Sequence, residues 1–213
     1  RLSGASTLAY PHATMPTTNL FFDLETTGLI KDWSSRYTQH EAFPDVVQLA
    51  YEVWRTGDDS VVLRKNVYFV PRVPIEEGAY KAHKLTVEFL TEHASPEPAA
   101  EIAEFMGHVL SAGHIIGHNI LGFDWVVWMA FCHSRGCRVT DMLRSAHKLF
   151  DTMTKPTAIL NLPFPPPSKR RGKYAKLEEC AQHWDLAADG PLHDARTDVD
   201  LTRKLYCVLE SMR

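Results

Sequence analysis

Hydrophobic and polar positions along the chain switch between a period of two and a period near 3.6. Residues 19–23 (NLFFD) form an apolar run that ends in an acid, the pattern of a central strand whose C-terminal end opens into a site. A polar stretch rich in Ser, His, Tyr and Trp, residues 30–44, predicts a long loop. Residues 46–54 (VVQLAYEVW) resume an apolar, β-branched pattern, and the run 61–70 repeats it after Gly57, Asp58 and Asp59. Two such runs about a Gly-Asp turn predict a hairpin lying beside the first strand. Helical signals follow. Thr86 is placed to cap a short helix through His93, and Ser95-Pro96-Glu97 predicts a cap with Pro in the first turn, opening an Ala-rich amphipathic helix to about residue 112. Residues 114–117 (HIIG) predict a short buried strand, 123–134 a strongly apolar helix, and 149–153 (LFDTM) a further strand. Residues 163–176, with three consecutive prolines and a Lys-Arg-Arg run, predict an irregular exposed basic loop, and 177–184 and 195–210 predict the closing helices.

Strand and helix alternate over most of the chain, and its 213 residues, 45% hydrophobic, suffice for one α/β-sized domain with a real core. No internal repeat or second domain is visible. Residues 1–16 read as a disordered or processed tail outside the fold, and 17–213 as the domain. Arg, His, Asp or Gly interrupts every apolar run before the roughly 20 residues that a membrane span needs, so no membrane span is expected. Four cysteines without a Cys-x-x-Cys pair form neither a disulfide framework nor a zinc knuckle, which leads to the expectation of an intracellular reducing compartment. The net charge of −3 carries no global basic field, so any phosphate contact must be local or made through a metal. The cations Lys169, Arg170, Arg171 and Lys173 are the one concentrated exception, either a strand-contacting loop or a solvated charge run. Trp125 and Trp128, and Leu205, Tyr206 and Leu209, sit at helical spacing among apolar neighbours and are expected in the core.

Candidate chemistry gathers in three acidic fragments. Asp23 and Glu25 lie two positions apart at a strand end, so both side chains point to one face and can hold divalent cations together. Thr26, Thr27 and Gly28 follow, placing hydroxyls and a permissive backbone where a sugar or phosphate would approach. Asp124 opens the apolar helix after His118 and Asn119, a position that also suits simple helix capping. His193 and Asp198 bracket the start of the last helix, about one turn apart, which would bring an imidazole and a carboxylate toward one centre.

In this order the fragments resemble the DEDD-type 3′–5′ exonucleases of the His-containing (DEDDh, proofreading-exonuclease-like) subgroup. Asp23-Leu-Glu-Thr-Thr-Gly28 matches the family's Asp-x-Glu-Thr-x-Gly motif. His118-Asn119 with Phe123-Asp124 matches the second motif, and His193-Asp-Ala-Arg-Thr-Asp198 the third, His-x-Ala-x-x-Asp. The His83-Lys-Leu-Thr86 segment resembles the family's His-Gly-Ile/Leu-Thr, with Lys84 in place of Gly. The resemblance spans nearly all of residues 19–209.

The resemblance implies an RNase H-like α/β fold, a mixed five-stranded sheet with helices on both faces. It also implies a metal-dependent exonuclease that releases nucleoside 5′-monophosphates from 3′ ends of single-stranded DNA or RNA. Asp23, Glu25, Asp124 and Asp198 would hold two Mg²⁺ or Mn²⁺ ions, since hard oxygen ligands suit these cations, and His193 would be the general base. Thr26, Thr27, Gly28, Leu29, His83, Leu85 and Asn119 would contact the terminal nucleotide. DNA and RNA are not separated by the sequence. Its oligomeric state is left open, a homodimer being compatible with it. Two other readings stand beside this one: a scaffold protein of the same fold in a larger assembly, and a hydrolase of short oligonucleotides or other phosphate esters.

Overall fold

Parity along the first strand divides the molecule into layers. In a computed structural model that describes residues 18–57, 60–164, 167 and 172–212, strand β1 (Thr18–Thr26) turns Leu20, Phe22 and Leu24 to one face. Phe21 lies on the other face, in a separate apolar cluster. A period of two puts Asp23 and Glu25 on that second face.

β1 pairs antiparallel with β2 (Val46–Arg55), and β2 with β3 (Val61–Tyr68), so the expected hairpin lies beside the first strand. β4 (His114–Gly117) and β5 (Leu149–Asp151) add in parallel, giving a five-stranded sheet of order β3-β2-β1-β4-β5 with β1 at its centre. This is the expected mixed α/β fold, built as one domain.

The first face carries the larger core, closed by α3 (Pro98–Ser111) and α4 (Asp124–Ser134) through Ile102, Phe105, Val109, Val127, Trp128 and Phe131. α4 is apolar on every side because it is buried on every side, and Trp125 and Trp128 are core residues as expected. The second face is covered by α8 (Ala195–Ser211), whose Ala195 and Val199 pack with Phe21, Ala50, Trp54 and Ile116. Leu205 and Leu209 continue under α7 (Leu177–His183), and Tyr206 meets Phe21 edge-on at 5.5 Å. Short helices α1 (Glu77–His83), α2 (Val87–His93), α5 (Thr140–Ser145) and α6 (Thr154–Leu160) fill the connections.

Thr86 caps α2 as expected, its hydroxyl accepting from Phe89 N–H at 3.1 Å. α3 starts later than the Ser95-Pro96 pattern predicts. Its first-turn proline is Pro98, and the Ser95 hydroxyl instead bridges Glu97 N–H and the Glu101 carboxylate. β5 ends at Asp151 rather than Met153, because the Asp151 carboxylate turns back to accept from Met153 N–H and starts a turn. The four cysteines form no disulfide. Among the described residues no helix is long and apolar enough to cross a membrane. The tail of residues 1–16, the turn residues Asp58 and Asp59, and Lys169, Arg170 and Arg171 lie outside the described residues. Lys173, the fourth cation of the expected basic run, is ion-paired with Glu179.

Candidate active site

The C-terminal ends of the parallel strands β1 and β4 meet the N-termini of α4 and α8, where open α/β sheets place their ligands. Asp23 and Glu25 rise from β1 on the face that α8 covers, and Asp198 comes down from the first turn of α8. One carboxylate oxygen from each of these three lies within 4.8 Å of the others. Asp124 reaches the same end from the opposite layer. It is buried, and its Oδ1 accepts from Leu24 N–H at 3.1 Å, which ties α4 to the strand between the two acids.

Crowding four acids at the rim of a core makes them hold protons. Burial, then the charges of Asp124, Asp198, Glu25 and Asp194, hold Asp23 well above the usual carboxylate range. Burial and the charges of Asp198, Asp124 and Asp194 push Glu25 up to about 9. Burial likewise raises Asp124 to about 7, against hydrogen bonds from its own and the Leu24 N–H, and Asp198 to about 6, against the nearby His193. An arrangement that opposes its own ionisation is what a divalent cation relieves. The donor set fits a hard cation: carboxylate oxygens, with no sulfur ligand in the group.

His193 sits just before α8, exposed, with φ of +61°, and its N–H donates to the Asp198 carboxylate. Two residues absent from the sequence-based set fix this end of α8 and the turn before α4. Gln48, 1% exposed on β2 and paired in register with Glu25, contacts the Asp194 carboxylate and Ala195 N–H at 3.5 Å each, docking the helix that carries Asp198. Asp151, at the end of β5, accepts from the N–H groups of Asn119, Leu121 and Met153 at 2.9–3.2 Å, shaping the turn that leads to Asp124. A polar residue in the mostly apolar run 46–54 was the available signal for Gln48, and an acid within the short predicted strand 149–153 was the signal for Asp151.

The residues expected to touch a nucleotide divide sharply. Thr26 and Thr27 are buried: the Thr26 hydroxyl donates to Gly28 C=O at 2.7 Å, and that of Thr27 accepts from Asp45 N–H at 2.9 Å. Both hydroxyls thus bond within the segment that follows β1. A side chain on Gly28 would meet the end of the exposed Glu76 side chain at 2.5 Å, which would have to swing aside. Leu29 is 71% exposed. His83 is buried, its Nδ1 accepting from Leu85 N–H at 2.9 Å and its Nε2 facing Thr26 C=O at 3.2 Å, so the ring ties the turn after α1 to the end of β1. Leu85 is half-buried. Lys84 ends α1 at φ of +61°, the left-handed backbone that explains why glycine suits this place in the resembling motif. Asn119 also has a positive φ, +62°, and lines a cavity with His193 and Asp198.

No protein-family model matches the chain, and no curated protein matches it in sequence. Solved structures do match it in shape. Its fold is similar to that of exonuclease I. Escherichia coli exonuclease I in complex with a dT13 oligonucleotide superposes with a TM-score of 0.70 at 18% identity, over 92% of this chain and 41% of that one. A product-bound exonuclease I gives 0.70 at 18%, over 92% and 44%. The zinc-ion-bound E. coli exonuclease I–ssDNA complex gives 0.68 at 18%, over 93% and 41%. This chain thus spans about two-fifths of the length of the structures it resembles.

Proposed function

We propose that the protein is a divalent-metal-dependent 3′–5′ exonuclease that shortens single-stranded DNA or RNA and releases nucleoside 5′-monophosphates. The observation that carries this reading is the convergence of Asp23, Glu25 and Asp198 oxygens within 4.8 Å at the open end of an exonuclease-like fold. Asp23, Glu25 and Asp198, joined by Asp124, would hold two Mg²⁺ or Mn²⁺ ions. Bound there, the ions would supply Lewis-acid stabilisation of the attacking and leaving oxygens of the phosphodiester.

The chain's own residues account for the rest. His193, exposed beside Asp198, takes a proton from the attacking water through its imidazole. The water oxygen forms the new bond to phosphorus as the bond to the 3′-oxygen of the penultimate nucleotide breaks. That oxygen leaves as the new 3′-hydroxyl of the strand once it is protonated, and the terminal nucleotide departs as its 5′-monophosphate. Leu29, projecting from the buried Thr26–Gly28 turn, offers the terminal nucleoside an apolar contact. Asp194 caps α8 by accepting from Arg196 N–H at 3.0 Å, which holds the segment bearing His193.

Incubation with 5′-labelled single-stranded DNA and RNA in Mg²⁺, in Mn²⁺ and in EDTA tests the reading. Stepwise shortening of at least one strand that EDTA stops is the expected outcome. Intact strands in both metals, or shortening that persists in EDTA, would overturn it.

A further inference from the structure

Tyr174 is 71% exposed, yet the backbone on both sides of it is anchored. Lys173 donates its N–H to Leu162 C=O at 3.1 Å. Ala175, fully buried, donates its N–H to the Thr157 hydroxyl at 3.0 Å, and its carbonyl accepts from His118 Nε2 at 2.9 Å. The Nδ1 of His118 contacts the buried Thr152 hydroxyl at 3.1 Å, and burial lowers the affinity of His118 for a second proton. A carbonyl can only accept, so His118 donates through Nε2, and it fastens the Tyr174 segment to the end of β4. The ring itself stays uncovered, so this ordered mount holds an aromatic face toward something outside the fold.

What it faces is a cavity of about 350 Å³ whose walls also include Met153, Leu177 and Leu192, and which reaches Asn119, His193 and Asp198. Its volume falls in the range of small-molecule sites, about 300–1,000 Å³. Thr27 and Leu29 line a different cavity, of about 420 Å³, between the 30–44 segment and α4, and the two share no residue. Asp198 lines the Tyr174 cavity and none of the four acids lines the Leu29 one, so a phosphate held at the acid cluster opens on the Tyr174 side.

We propose that the Tyr174 cavity seats the penultimate nucleoside of the strand, its base stacked on the Tyr174 ring. The inference rests on the exonuclease reading, in which the terminal nucleoside occupies the Leu29 side. Stacking on an aromatic ring needs only the π-face that every base has, so this site grips the strand without selecting its sequence. His118 acts here as a positioning residue through Ala175.

The test compares wild type, Tyr174→Ala and Tyr174→Phe on two oligothymidylates, one intact and one abasic at the penultimate position, with KM and kcat measured separately. An exposed ring makes both variants compatible with the fold. Stacking on one base corresponds to a rise in KM of about 5- to 150-fold when it is lost. The expected pattern is that rise for Tyr174→Ala on the intact strand, a similar rise for wild type on the abasic strand, and no further rise when the two changes are combined. Tyr174→Phe should match wild type. An equal rise on both strands for Tyr174→Ala, or no change on either, overturns the assignment while leaving the exonuclease reading intact. Failure of wild type to release nucleotides from either strand overturns that reading, and the assignment with it.

Discussion

Glu25→Gln should stabilise the metal-free protein, and more so as pH rises. Glu25 ordinarily titrates at 4.5 and in the fold is pushed up to about 9, first by burial and then by the charges of Asp198, Asp124 and Asp194. The unfolded chain sheds this proton above its ordinary value while the folded chain keeps it. The group's contribution to stability is therefore fully present below pH 4.5 and falls away as pH rises toward 9. At about 1.36 kcal/mol per pH unit, the loss between pH 5 and pH 8 is about 4 kcal/mol. Glutamine carries no charge in either state and escapes it. For a domain of this size 1 kcal/mol moves the melting temperature by about 2–4 °C, so the variant's Tm advantage should widen by about 8–16 °C between the two pH values. Melts of both proteins in EDTA at pH 5 and pH 8 provide the assay. Mn²⁺ at pH 8 should then raise the Tm of wild type more than that of Glu25→Gln, because a cation favours the ionised cluster. A gap between the two proteins that is the same at both pH values, or a variant that melts lower at pH 8, would refute the idea that the cluster costs stability.

Asp23→Ala should abolish nucleotide release while leaving the circular-dichroism spectrum and the metal-free Tm equal to or above wild type; a large fall in Tm would assign Asp23 to structure. Asp151→Ala removes the acceptor of three backbone N–H groups, so urea titration should show a loss of about 3 kcal/mol. Turnover should fall with it, since Asn119 and Leu121 lead into Asp124. A 3′-phosphate on the substrate should stop digestion, and undiminished cleavage of the blocked strand or of a closed circle would point to an endonuclease.

The sequence by itself determined whatever depends on local period. Alternation placed Asp23 and Glu25 on one face of β1, continuous apolarity marked α4 as buried, and Thr86 announced the helix it caps. The four acids and His193 stood out as one set only through their resemblance to the exonuclease motifs, because each acid taken alone reads equally well as a strand end or a helix cap. Which of those groups meet was decided only by the fold. Asp198 joins Asp23 and Glu25 because α8 packs on the Phe21 face, whereas Asp124 arrives from the opposite layer and spends one oxygen on Leu24 N–H. Thr26 and Thr27 follow Glu25 directly in sequence, but that their hydroxyls bond to Gly28 C=O and Asp45 N–H was decided by the fold, since a turn returning to the sheet must satisfy its own polar groups. Gln48 and Asp151 matter through partners 146 and 32 positions away, a separation at which periodicity carries no information. The mount that holds Tyr174 is of the same kind: His118 reaches Ala175 across 57 positions, through a hydrogen bond that only packing of the distant segments creates.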